Sequence, residues 1–380
     1  MSIPIAQAVL DPNYAKSQHQ DPNAPNLPSA PQDTLHQHVV TPELTQWLSG
    51  QGFSDGLIKA AVCSANSFPR RIWIVDNSGS MNTDDGHRIV QNGNGTIILN
   101  STRWAEIVDT VTYHAELASK LNASTEFRLL NHPNLPNVNQ NVCVSGPDDL
   151  PEALRTMNSS RPGGCTPLTS HLQSIRAEFT PQYVNSLRSA GQRVVVVLAT
   201  DGVPTDESGY ANTSTEREFK TALQAFGGLP VWIVIRLCTD DDAICDYYNE
   251  IDNQLEIDLE VLDDFVGEAK EVCDLNPFLN YALPIHRLRE FGFHDKVFDL
   301  LDEKQLSLSD LRHYVSILLG VEDEDVPDPQ FSFKPFYDYV SAEQQKHGSA
   351  VYDPIKKKQV PLIDINKMWH TYQPGGCTLS

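Results

Sequence analysis

The chain has 380 residues, 40% of them apolar, with 50 acidic and 28 basic residues and a formal net charge of −22. That length suffices for one large α/β domain plus a smaller appendage. The charge argues against phosphate-backbone binding, which requires a Lys/Arg surface, so no nucleic-acid partner is expected. Met1-Ser2-Ile3-Pro4-Ile5 has no basic region leading into an apolar core, and no stretch is long and apolar enough to cross a bilayer. Neither a signal peptide nor a transmembrane segment is therefore expected. Seven scattered cysteines without a C-x-x-C pair read as reduced thiols in a cytoplasmic protein and offer no structural zinc site.

Residues 1–40 are rich in Pro, Asn, Gln, His and Asp and lack hydrophobic period, which reads as a disordered tail. Thr41-Pro42-Glu43 is a helix start, and Ser54 caps a second helix, so 41–66 is expected to be a helical hairpin packed on a neighbouring domain. From 69 to 275 apolar runs alternate with helical stripes, the pattern of a mostly parallel sheet covered on both faces. Strands are expected at 71–75, 126–130, 142–144, 194–199, 231–235 and near 255–261. An inserted hairpin with an Asn-Gly turn is expected at 87–99. Residues 276–370 read as a strand-free helical extension, with Ser307 capping one helix and Gly320 ending it, and 371–380 as a flexible tail.

The chemistry concentrates beyond the ends of two buried strands. Ile72-Trp73-Ile74-Val75 runs into Asp76-Asn77-Ser78-Gly79-Ser80, and Val194 to Ala199 runs into Thr200-Asp201-Gly202. In an open α/β sheet, ligands bind past the carboxyl ends of the strands where the strand order reverses. The alternation Asp76-x-Ser78-x-Ser80 lets an extended loop aim three side chains the same way. Gly79 is expected to permit a tight backbone path. Thr166, in Gly163-Gly164-Cys165-Thr166-Pro167, would approach from a separate loop. Asp76, Ser78, Ser80, Thr166 and Asp201 are hard oxygen donors suited to Mg²⁺ or Mn²⁺.

These residues carry a resemblance to the von Willebrand factor A domain and its metal-ion-dependent adhesion site. The family pattern is D-x-S-x-S after the first strand, a threonine in a second loop and an aspartate in a later T-D-G segment, here met in order by Asp76, Ser78, Ser80, Thr166 and Asp201. About 200 residues are covered, and the whole chain is similar to intracellular A-domain proteins of unicellular eukaryotes. The 87–99 hairpin and Cys165 depart from common members without removing a ligand. The resemblance implies a vWA-type α/β fold and a metal-dependent scaffold or adaptor rather than an enzyme. Serine and threonine hydroxyls would coordinate the ion directly or through water, and the aspartates often through water. A partner Asp or Glu carboxylate would fill the open position.

Two other functions compete. A Mg²⁺-dependent hydrolase or phosphoesterase needs a base or nucleophile by the metal, and Asp206 and His87 are the nearby candidates. Neither a G-x-S-x-G elbow nor a P-loop is present. Cys377-Thr378-Leu379-Ser380 fits a C-a-a-X box, so farnesylation of Cys377 would make the protein a peripheral membrane adaptor.

Overall fold

The computed structural model describes residues 38–373 apart from 93, 94, 207, 240, 348 and 349. The C-a-a-X cysteine Cys377 and nearly all of the expected N-terminal tail lie outside the described residues.

Two capped helices open the described chain. Thr41 accepts from Leu44 N at 3.2 Å to start α1 (Pro42–Ser49), and Ser54 accepts from Leu57 N to start α2 (Asp55–Ser67). Residues 38–40 are fastened to the end of α2, where Asn66 exchanges two hydrogen bonds with the His38 backbone. After β1 (Arg70–Val75) comes the antiparallel hairpin of β2 (Gly86–Asn92) and β3 (Gly95–Ser101), in the expected place. Helix α3 (Arg103–Leu121), capped by Thr102, leads to β4 (Thr125–Leu129) and β5 (Asn141–Val144).

Helices α4 (Leu150–Ser159), α5 (Leu168–Glu178) and α6 (Pro181–Ala190) precede the fully buried β6 (Val194–Thr200). Then follow α7 (Thr213–Gln224), β7 (Val231–Leu237), α8 (Asp242–Gln254), β8 (Leu259–Leu262) and α9 (Phe265–Leu275). The last strand thus begins later than the expected 255: Leu255 is buried in the core as the C-cap of α8 rather than in a ladder.

The sheet runs β5-β4-β1-β6-β7-β8, parallel throughout except for β5 at one edge. This is a mixed α/β fold with a mostly parallel sheet between helices. The pleat sends Ile72 and Ile74 of β1 to one face, into a core with α5, α7 and α8. Trp73 and Val75 go to the other, into a core with α3 and α4. From β1 the chain moves outward through β4 and β5, then returns to place β6 on the opposite side of β1. The reversal point is therefore the β1/β6 seam.

The C-terminal segment contains α10 (Leu283–Glu290), α11 (Lys296–Glu303), α12 (Leu308–Leu319) and α13 (Phe333–His347). Ser307 and Gly320 cap α12 as expected, with a reciprocal Ser307–Asp310 capping box. The expectation that this segment lacks strands is corrected. β9 (Val351–Asp353) pairs antiparallel with β10 (Lys358–Val360) ahead of α14 (Ile365–Tyr372). The turn is set by Asp353, whose carboxylate accepts from the N–H groups of Ile355 and Lys356, while Lys357 adopts φ +52°. His286 of α10 is fully buried against Phe265 and Tyr281.

Candidate functional site: two buried aspartates at the sheet reversal point

Asp76 leaves β1 and Asp201 leaves β6, so the two carboxylates emerge on either side of the reversal seam. Both are buried. The Asp76 N–H donates to Ala199 O at 2.9 Å, carrying the ladder one residue beyond the strand and fixing the start of the loop. Asp76 accepts from Ser78 N at 2.7 Å on one oxygen and from Thr200 Oγ1 at 2.6 Å on the other. The Ser78 and Ser80 hydroxyls lie 3.0 Å apart, and Ser80 Oγ donates to Asp201 Oδ1 at 2.8 Å. Four of the five sequence-derived ligands thus form one chain of contacts. Ser78 is buried and Ser80 exposed, so the cluster opens to solvent at Ser80.

Thr166 reaches the same edge from the loop before α5. Its backbone is clamped to the loop after β6: Thr166 N donates to Thr205 Oγ1 at 2.9 Å, and Thr205 N donates to Thr166 O at 3.0 Å. A second clamp joins it to the first loop, through Gly163 N to Asn77 O at 2.8 Å and Gly79 N to Gly164 O at 3.2 Å. The tight backbone position is Gly164 rather than Gly79. Gly164 has φ +93°, and a Cβ there would fall 2.6 Å from Asn131 Oδ1, whereas one at Gly79 would meet only an ordinary contact at 3.8 Å.

Two further residues build the site. Asn131 follows β4 and ties three loops together. Its N–H donates to Asn77 Oδ1 at 2.7 Å, its carbonyl accepts from Asn77 Nδ2 at 2.9 Å, and its Nδ2 donates to Cys165 O at 2.8 Å. Arg103, the first residue of α3, donates through Nη1 to Asp201 Oδ2 at 2.9 Å and grips Asp85 with Nε and Nη2 at 2.6 and 2.5 Å. Asp85 just ahead of the β2–β3 hairpin and Arg103 just after it therefore flank Asp201. The overlooked signal for Arg103 is its position: a cation in the first turn of a helix opposes the helix dipole and calls for an anionic partner.

The electrostatics follow from burial. The Asp76 carboxyl is pushed up to about 6, first by desolvation and then by the like charge of Asp201. Asp85 is held below the usual carboxylate range by the Arg103 hydrogen bond. A single guanidinium thus serves two carboxylates, and Asp76 lacks an ionic partner among the described residues. Two buried carboxylates, two serine hydroxyls and a nearby threonine form an oxygen donor set that fits a small hard divalent cation. Among the described residues no three His, Cys, Asp or Glu side chains converge as a metal cage.

The other candidates are engaged elsewhere. The Asp206 carboxylate accepts from the N–H groups of Ser208 and Tyr210, closing its own turn. His87 N donates to Glu106, and His87 lines a small cavity with Glu106, Arg236 and His286.

No known protein-family model matches the sequence. No curated protein matches it either. Solved structures that resemble it include the PilB minor pilin of Streptococcus sanguinis, at 12% identity and TM-score 0.35, covering 62% of each chain. A point mutant of that pilin matches at 11% identity and TM-score 0.37, covering 62% of this chain and 61% of the pilin. The match spans less than two thirds of those pilins' length. Likeness at that level carries no argument about fold family or activity.

No described helix is long and apolar enough to cross a membrane.

Proposed function

We propose that this chain is a protein-recognition module of the von Willebrand factor A type. In this reading Asp76, Ser78, Ser80, Thr166 and Asp201 hold Mg²⁺ or Mn²⁺. The bound ion supplies a Lewis-acidic position that a partner's Asp or Glu carboxylate completes. The observation that carries the reading is the Asp76–Asp201 pair, buried on both sides of the sheet reversal point and joined through the Ser78 and Ser80 hydroxyls. Two partly compensated buried carboxylates are costly without a cation, and hydroxyl ligands add none of the negative charge that would quench one. The opening at Ser80 leaves room for a partner. Asp201, already paired with Arg103 through Oδ2, suits an indirect role through water.

The test is a Mn²⁺ titration of the full chain followed by electron paramagnetic resonance, with Asp76→Ala and Ser80→Ala as variants. One site in the wild type, lost in Asp76→Ala and weakened about ten-fold in Ser80→Ala, is expected. Equal Mn²⁺ binding by Asp76→Ala would sink the reading. Affinity capture with wild type and Asp76→Ala, in Mg²⁺ or EDTA, then asks whether a carboxylate-bearing partner follows the metal.

A further inference from the structure

In the C-terminal segment, the turn that joins α12 to α13 carries four consecutive acids, Glu322-Asp323-Glu324-Asp325. Asp323–Asp325 forms a single 3₁₀ turn, and Val326 directly after it is buried in the core that α12 shares with α11 and α13. Among the described residues no lysine or arginine forms an ion pair with these four carboxylates; the pair made here is between Asp323 and His313, on the half-exposed face of α12.

His313 is gripped from both sides. Its Nδ1 lies 3.0 Å from both carboxylate oxygens of Asp323, and its Nε2 lies 3.0 Å from Asp295 Oδ2. Each carboxylate is separately anchored. Asp295 caps α11, its Oδ1 accepting from Val297 N at 3.0 Å, and Asp323 also accepts from Ser316 Oγ. The charged groups acting on the ring are thus Asp295 of the α11 cap and Asp323 of the turn, with Arg312 of α12 acting on Asp323. An ionised carboxylate only accepts hydrogen bonds, so both are satisfied only by a ring that donates from both nitrogens, the imidazolium. A neutral ring carries one N–H and would present a lone pair to one of the carboxylates.

We propose that His313 is a protonation latch: as imidazolium it fastens the acidic turn to the N-terminus of α11, and on losing its proton it lets the turn come away. The side that opens is the turn. Asp295 stays fixed as a helix cap, whereas Asp323 sits among three further acids whose repulsion the imidazolium had offset. What then holds the segment is the neutral Ser316 hydroxyl on Asp323, Arg312 Nε on Val326 O at 2.8 Å, and two backbone bonds inside the turn, Asp325 N to Glu322 O at 3.0 Å and Val326 N to Asp323 O at 3.2 Å. Release therefore loosens the link between α12 and α13 rather than either helix. Burial works against the charged ring, but the hydrogen bonds to Asp323 and Asp295 outweigh it and hold His313 above its ordinary 6.5. A histidine raised in the folded chain stabilises it fully below 6.5, and that stabilisation is lost as pH rises through the folded value.

The experiment follows the full chain, selectively labelled at histidine, by NMR across pH. Hydrogen–deuterium exchange of residues 320–332 is read alongside by mass spectrometry and corrected for the intrinsic rate at each pH. His313 should titrate above 6.5, with both ring nitrogens protonated on the acid side, and Asp295→Asn and Asp323→Asn should each lower its midpoint. Exchange of 320–332 should quicken about five-fold across that same titration, while α12 itself stays protected. His313→Gln, which keeps a neutral donor, should exchange at the faster rate at every pH. Its urea midpoint should match that of wild type once wild type is deprotonated, which also shows that the variant is folded. A His313 midpoint at or below 6.5, exchange that ignores the titration, or the same pH step in His313→Gln would each overturn the proposal.

Discussion

At the scale of single residues, the candidate metal site is governed by the balance between two buried carboxylates and one arginine. Arg103 is the only cation paired with Asp201 among the described residues, at a side chain with no exposure, and it also holds Asp85. Removing one partner of a buried pair leaves an uncompensated charge, which typically costs about 3–5 kcal/mol. Arg103→Ala should therefore lose about 3 kcal/mol of stability in EDTA, measured by urea unfolding, and recover part of it in millimolar Mn²⁺. An identical loss with and without metal would mean that the arginine and the ion do not share a role. Asp76, Ser78, Ser80 and Asp201 stand out as candidate oxygen donors because their spacing and their place after buried strands are local features. Arg103 and Asn131 do not, since each acts on a loop far away in sequence.

At the scale of elements, capping signals were good predictors and close approaches were invisible. Thr41, Ser54, Ser307 and Gly320 all cap helices as their chemistry dictates. The crossing of α2 over α12 depends instead on Gly56. A Cβ there would lie 1.9 Å from Ile317 O and 2.5 Å from Gly320 N, both backbone atoms that cannot swing aside. Gly56→Ala should thus force the helices apart and cost about 3 kcal/mol, read as a lower urea midpoint at unchanged slope. A loss under about 0.5 kcal/mol would show that the two helices separate freely. The three-residue strands of the β9–β10 hairpin are too short to display alternation.

At the scale of the whole molecule, the N-terminal helical hairpin and the C-terminal extension are not separate appendages of the sheet. Leu44, Leu48, Leu57 and Ile58 share one core with Phe278, Phe298, Leu311 and Phe336, and that core continues onto α3 and α9. A buried polar network joins the same parts. Glu290 of α10 accepts from Arg236 of β7 at 3.2 Å, from Arg287 at 2.8 Å and from His114 Nε2 of α3 at 3.0 Å. A chain ending at residue 275 would expose this core and strip Arg236 and His114 of Glu290. It should aggregate or fail to give a cooperative transition by circular dichroism, and a soluble, cooperatively melting fragment would refute this account.

The network also sets a pH dependence. Burial pushes His114 down to about 4, opposed by Glu290 and reinforced by Arg287 and Arg71, so the imidazole is neutral and donates to Glu290. Between the ordinary value of 6.5 and about 4, the unfolded chain takes up a proton that the folded chain does not. The stabilisation is full above 6.5 and lost as pH falls through that window, amounting to roughly 3 kcal/mol by pH 4. His114→Gln, which keeps an N–H donor without titrating, should flatten this part of the urea-midpoint profile. An unchanged slope would assign it to other groups.

Sequence alone determined the alternation of buried strands and amphipathic helices, most helix ends, and the clustering of oxygen-bearing side chains after two strands. Those depend on hydrophobic period, capping chemistry and neighbours a few residues apart. Tertiary structure alone decided that Arg103 and Asp85 would flank Asp201, that α1 and α2 would share a core with the extension, and that Glu260, Glu268 and Asp302 would gather around Arg289. Such groupings are set by which surfaces pack together, and the interactions that select them range from 13 positions apart in Arg289–Asp302 to 264 in Ser54–Leu318. No local pattern encodes a pairing of that kind.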